Sequence, residues 1–181
     1  ADVSGTNADI TATSFGNATN SINTDVDSLT VDTSAANGDQ FINEADDLTA
    51  LNLTAGAGDV TLVTGNSITD GDAGTDISAT NADVTVTNGT FGNATNSIDT
   101  AVDSLTVNTS GANGDQFIDE TDTLTALDLD AGTGDVTLVS GNSITDVDAN
   151  ADIQATNADV TVTNGNFGAT GNSIDTAVNS L

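Results

Sequence analysis

The sequence contains no lysine, arginine, histidine, cysteine, methionine, proline, tryptophan or tyrosine. Each absence removes a class of chemistry. Without cysteine there is no disulfide framework and no thiolate metal site, so the redox compartment is left open. Without histidine a nucleophilic triad lacks its usual base. Without lysine or arginine nothing can neutralise phosphate, which excludes nucleic acid as a partner and disfavours anionic membrane surfaces. Tryptophan, tyrosine and arginine are also the usual anchors of recognition surfaces, so receptor binding within this stretch is not expected. No apolar run approaches the roughly 20 residues that span a bilayer, and membrane insertion is not expected either.

What remains is an acidic, aliphatic alphabet. The 181 residues include 28 carboxylates, giving a net charge of −28, and 36% of the chain is hydrophobic. High charge with few aromatics is one signature of disorder. The distribution argues against it, because Val, Ile, Leu and Ala fall in short alternating runs. Asp59–Gly65, Ala82–Gly89, Ser104–Gly111 and Thr123–Gly132 alternate apolar with polar residues, as half-buried strands do. Asn37-Gly38, Asn88-Gly89, Asn113-Gly114 and Asn164-Gly165 mark turns between runs. Only Ser97–Leu105 carries helical spacing, through Ile98, Val102 and Leu105, and its Thr and Val content weakens that reading.

The dominant feature is a repeat. Phe15, Phe91 and Phe167 recur at one constant interval, and Phe41 and Phe117 are separated by the same interval. Aligning 15–88 with 91–164 needs no gap and leaves about 15 differences in 74 positions. The chain thus reads as a window on a tandem array of 76-residue units. Residues 1–14 end a truncated unit, 15–90 and 91–166 are complete units, and 167–181 begin another.

Short strands separated by turns fit two architectures. Tandem β-sandwiches would place one domain in each unit, but they normally want an aromatic plug and longer paired strands. A β-solenoid needs only a thin aliphatic core and turn-rich corners. The step from Leu29 to Leu48 equals that from Leu105 to Leu124, and four such steps make one unit. The expectation is an all-β, parallel β-helix (β-solenoid) with about four coils per unit, forming a rod on the order of 45 Å long. Three longer coils per unit satisfy the same arithmetic. The five phenylalanines recur with the unit and are expected as buried spacers in the core.

The phrases "LTALDLDAGTGDVTLVSGNSITD", "ADIQATNADVTVTNG" and "NSIDTAVDSLTV" resemble the repetitive shafts of large bacterial surface proteins of the filamentous-haemagglutinin type. The likeness covers essentially the whole chain. The resemblance implies a right-handed parallel β-helix shaft, displayed at the cell surface or released outside the cell, with export and receptor-binding parts elsewhere on the molecule.

Carboxylates are the only titrating side chains. A paired-carboxylate hydrolase would draw on Glu44 with Asp46 and Asp47, or on Glu120 with Asp122. Asp47 becomes Thr123 in the second unit, and a solvated surface explains these residues better, so no enzyme activity is expected. Metal binding has a firmer motif. Asp70, Asp72 and Asp76, and again Asp146, Asp148 and Asp152, keep a D-x-D-x-x-x-D spacing that suits Ca²⁺, a cation taking six to eight hard oxygen ligands. The glycine and terminal glutamate of an EF-hand are missing. The alternative is a polar corner whose aspartates satisfy turn amides. The expected function is a structural stalk or fibre segment. Self-assembly into an extracellular filament or matrix, and a calcium-dependent binding module, are the alternatives.

Overall fold

Strict alternation decides which side of each strand faces inward. In Gln40–Glu44 the residues Gln40, Ile42 and Glu44 are buried while Asn43 is exposed. In Val60–Thr64 the buried set is Val60, Leu62 and Thr64. A computed structural model describes all residues from Ala1 to Leu181 and contains strands but no helix. The strands are β1 (Val3–Thr11), β2 (Ile22–Asp32), β3 (Gln40–Glu44), β4 (Ala50–Thr54) and β5 (Val60–Thr64). They continue with β6 (Ile77–Ser78), β7 (Asn81–Val86), β8 (Ile98–Ala101), β9 (Ser104–Asn108) and β10 (Gln116–Glu120). The last are β11 (Ala126–Asp130), β12 (Val136–Ser140), β13 (Ile153–Gln154), β14 (Ala158–Val162) and β15 (Thr176–Ala177).

All strand pairs are parallel, and each strand pairs with the one that lies one coil further along the chain. The result is a β-solenoid of about 8 turns. Odd-numbered strands from β3 to β15 stack into one face, and even-numbered strands from β4 to β14 into the other. The long β2 bends across both. Its first residues pair with β3 and its last with β4. The Ser97–Leu105 stretch divides between β8 and β9, one strand on each face, so its apolar spacing serves two strands rather than a helix.

Register sets the coil length. Gln40 pairs with Val60, Val60 with Ala82, Asn81 with Ser104, and Leu129 with Ile153. Every one of these steps is longer than the step from Leu29 to Leu48. Those two leucines are not coil partners: Leu29 pairs with Leu51, and Leu48 bridges to Ile68. The second unit supplies seven strands, β8 to β14, and two strands make a turn, so a 76-residue unit winds three and a half times. This half-integer replaces the expected four coils. It arises because corners differ in length, from the short link between β8 and β9 to the wide loop between β12 and β13.

A single core of 34 buried hydrophobic residues runs the length of the rod between the two faces. It is built of Leu, Ile, Val and Ala with only two aromatics, Phe15 and Phe91. The expectation for the other phenylalanines fails. Phe41 and Phe117 sit on outward positions, half-buried, and Phe167 is 38% exposed. Strand parity explains Phe41 and Phe117, because inward Gln40 and Ile42 force Phe41 outward. Phe167 instead holds the position of buried Phe91 but bridges to Ile144 on one side only, with no further rung over it.

Corners are closed by polar side chains that reach the next rung. At 33–38 the carbonyl of Thr33 accepts from Ala36 and Gly38, and Asn37 takes a left-handed φ of 52°. Asn37 Oδ1 then accepts from the amide of Ala57, one coil on, at 2.9 Å. The second unit repeats this with Asn113, whose Oδ1 accepts from Thr133 at 3.0 Å. At Gly38 and Gly114 successive corners touch. A Cβ on either would lie 1.8 Å from Thr13 O or 1.6 Å from Gly89 O.

Candidate metal centre

Wide corners lead from β5 to β6 and from β12 to β13, and each carries one of the aspartate triples. Asp70, Asp72 and Asp76 come together, as do Asp146, Asp148 and Asp152. In each triple one oxygen from every carboxylate lies within 4.8 Å of the other two. Two oxygens bound to one Ca²⁺ at about 2.4 Å can be at most about 4.8 Å apart, so this spacing fits a shared ion. The donors are hard oxygens, as that ion prefers, and three carboxylates leave further positions for water or carbonyl groups.

The same side chains also hold the fold. Asp70 Oδ1 accepts from Leu51 N at 3.3 Å and Oδ2 from Asp72 N at 2.6 Å. Asp76 Oδ2 accepts from Asp99 N at 2.7 Å. In the second unit Asp146 accepts from Leu127 N and Asp148 N, and Asp152 from Asp175 N. Leu51 N and Leu127 N belong to the rung before the wide loop, Asp99 N and Asp175 N to the rung after it, and Asp72 N and Asp148 N to the loop itself. The carboxylates thus replace ladder partners that the loop does not supply. Asp70 and Asp76 are only 4% and 2% exposed, and Asp146 and Asp152 are buried as deeply. Asp72 and Asp148 stand outside, where Asp72 Oδ1 accepts from Gly74 N.

Packing carboxylates together without a cationic side chain disturbs their ionisation. The carboxyl of Asp76 is pushed up to about 7, chiefly by burial. The hydrogen bond from Asp99 opposes this, while the charges of Asp70, Asp99 and Asp72 add to it. Burial also raises Asp152, against the hydrogen bond from Asp175. Asp99 is raised by burial and by neighbouring Asp119, Asp70 and Asp72. A proton or an external cation relieves the same strain, since the chain offers only its terminal amine as a positive group.

The carboxylates considered for hydrolysis are placed differently. Glu44 is 1% exposed, and its Oε1 accepts from the amides of Val26, Ala45 and Asp46. Glu120 is fully buried, with Oε1 accepting from Val102 N and Asp122 N and Oε2 from Thr100 Oγ1. Both act as corner staples inside the rod. Asp46 remains outside, with its carboxyl raised mainly by the charge of Asp25. The one hollow of any size lies at the last coil, between Val136, Ala158, Val160, Val162 and Phe167, away from these groups.

Two buried polar positions escape a reading from sequence. Gln40 and Gln116 are fully buried, and each Nε2 donates to the preceding strand, to Val31 O and Thr33 Oγ1 or to Val107 O and Thr109 Oγ1. The signal is present in QFINE and QFIDE, where period-two alternation puts Gln, Ile and Glu on one side. Against known proteins, no family, no curated sequence and no solved structure matches the chain.

Proposed function

We propose that the chain is a structural rod, a stalk or fibre segment that extends from a cell surface or lies outside the cell and carries no catalytic role of its own. The observation that supports this reading is continuity across the unit junction at residues 90 and 91. Strand β7 of the first unit pairs with β9 of the second, and β6 with β8, with no break in the core. Units that fuse in this way give reach rather than separate binding beads.

The composition supports service in an exposed place. Trypsin-like proteases find no lysine or arginine, and sulfur oxidation has no target. The net charge of −28 keeps neighbouring rods apart. The likeness of its phrases to filamentous-haemagglutinin-type shafts adds a surface adhesin of bacteria as the larger setting, with adhesion carried outside this segment.

A second reading, a calcium-dependent module, is favoured by the spacing of the two aspartate triples alone. Electron microscopy of the purified chain, with chelator and with excess Ca²⁺, separates the readings. The stalk reading expects single rods of constant width and of about 38 Å, from about 8 turns at ~4.8 Å each. Long polymers in both conditions would replace it with self-assembly into a filament. Compaction or ordering only with Ca²⁺ would replace it with the module.

A further inference from the structure

Three and a half turns per unit has a geometric result that the sequence repeat hides. A residue and its equivalent in the next unit lie on opposite sides of the rod. Strand β3 stands on the odd face and its equivalent β10 on the even face. Strand β4 stands on the even face and its equivalent β11 on the odd face. The isolated bridges repeat the exchange. Phe15 bridges to Gln40 on one edge, and Phe91 to Gln116 on the other. The wide loops follow. The corner after β7, which passes from the odd to the even face, holds Ala94. Strand β1 pairs along β2, so its last residues lie on the even face with the part of β2 that pairs with β4. The corners after β1 and β14, which pass from the even to the odd face, hold Ala18 and Thr170.

We propose that the number of 76-residue units sets the side on which the rod presents whatever lies beyond them, each unit adding about 17 Å of length and half a revolution. Three and a half rungs at ~4.8 Å give that length. The period of the rod is then two units and about 34 Å, and each edge shows the same loops once per period. A partner recognising a loop of the unit meets it alternately left and right. Gain or loss of one unit moves a distal domain to the other side of the rod, and gain or loss of two restores it.

The two faces are built to allow this. Each strand sequence must serve on either face, and the chemistry is face-neutral. Gln40, Ile42 and Glu44 point inward from the odd face as Gln116, Ile118 and Glu120 do from the even one. Gln Nε2 donates to a strand carbonyl at 3.1 Å in both, and Glu44 and Glu120 each accept from the amide two residues on and from Val26 N or Val102 N.

Ala18, Ala94 and Thr170 are exposed and occupy equivalent positions in successive units, and the chain has no cysteine to interfere. Spin labels on the pairs A18C/A94C, A94C/T170C and A18C/T170C measure the three separations by pulsed electron resonance. Five-residue strands at about 3.3 Å per residue, with their corners, set the edges on the order of 25 Å apart. Combined with the rise of about 17 Å, this predicts about 30 Å for each adjacent pair and about 34 Å for A18C/T170C. Three nearly equal distances support the proposal. Adjacent pairs near roughly 17–20 Å, with the outer pair twice as long, place every unit on one edge and overturn it. The labelled sites are exposed loop positions, so folding does not depend on the replaced side chains.

Discussion

Asp76 carries the least favourable charge in the rod at neutral pH, and replacing it by asparagine is expected to stabilise the fold there. Its carboxyl rises from 3.8 to about 7, first because burial penalises the ionised form. A group whose folded pKa lies above its unfolded one binds its proton more tightly in the native state. The contribution of Asp76 to native stability is therefore fully present below about pH 4 and is lost as pH rises through about 7, the reverse of the usual salt-bridged aspartate. A shift of about 3 units corresponds to roughly 4 kcal/mol at about 1.36 kcal/mol per unit. Solvent screening at the loop edge lowers the effect to about 1–2 kcal/mol. Asp152 is raised by burial in the same direction, so the second unit reinforces the trend.

Asp76→Asn keeps an oxygen to accept the amide of Asp99, now 2.7 Å from Oδ2, and removes the ionisation. Urea unfolding of both proteins at pH 4.5, 6 and 8 in chelator gives the comparison. The wild type should weaken by about 1–2 kcal/mol more than the variant between the lowest and highest pH, and the variant should be the more stable at pH 8. A wild type that loses no more than the variant, or a variant weaker at pH 8, refutes the reasoning. Excess Ca²⁺ adds a second arm. If the triple holds the ion, wild-type stability at pH 8 recovers and that of Asp76→Asn recovers less.

Four further outcomes are expected. Gly114→Ala forces a Cβ to within 1.6 Å of Gly89 O, so the rungs must part, and a loss of about 2–3 kcal/mol should appear as a lower urea midpoint. Glu120→Ala strands the buried amide of Val102 and the buried hydroxyl of Thr100 and should cost about 2–4 kcal/mol, while Glu120→Gln, which retains an acceptor, should recover much of it in the same assay. Like charges on rungs ~4.8 Å apart fall inside a screening length of about 8 Å, so the melting temperature should rise with NaCl, and a flat series would count against it. Peptide mapping of aged protein should find deamidation at exposed Asn164-Gly165 before Asn37-Gly38 and Asn113-Gly114, whose Oδ1 atoms are held by Ala57 N and Thr133 N.

The fold class is legible in the sequence because its cause is local. Alternation in "VTLVT" and "ALNLT" specifies strands with one buried side, and short turn-bounded strands with no aromatic plug leave a thin-cored solenoid as the natural packing. The aspartate triples are legible as groups because residues spaced two and four apart within one corner stay close together. Their dual duty is not. Asp70 reaches back a full coil to Leu51 N, and Asp76 reaches forward as far to Asp99 N, and no local pattern announces such partners. Charge alone places Glu44 and Glu120 on the surface. Parity puts them inside, where three or two backbone amides make a buried carboxylate tolerable.

The coil length departs from its expectation for a related reason. The leucine spacing measures the distance between two inward positions of the chain, not the distance around the rod, because Leu48 lies in a corner and bridges to Ile68 while Leu29 lies in a strand and pairs with Leu51. What closes a coil is the hydrogen-bond ladder, and the ladder tolerates any corner length that returns the chain to the rung above. The β5–β6 and β7–β8 corners therefore lengthen their coils without disturbing the shorter steps of their neighbours, such as Gln40 to Val60 and Ile98 to Ile118. Sequence repetition and helical repetition are then free to disagree, and here they do so by half a turn. An odd number of strands per unit is stable only if both faces accept every strand, which is why the core repeats one aliphatic alphabet on both sides rather than pairing a large-residue face with a small-residue one.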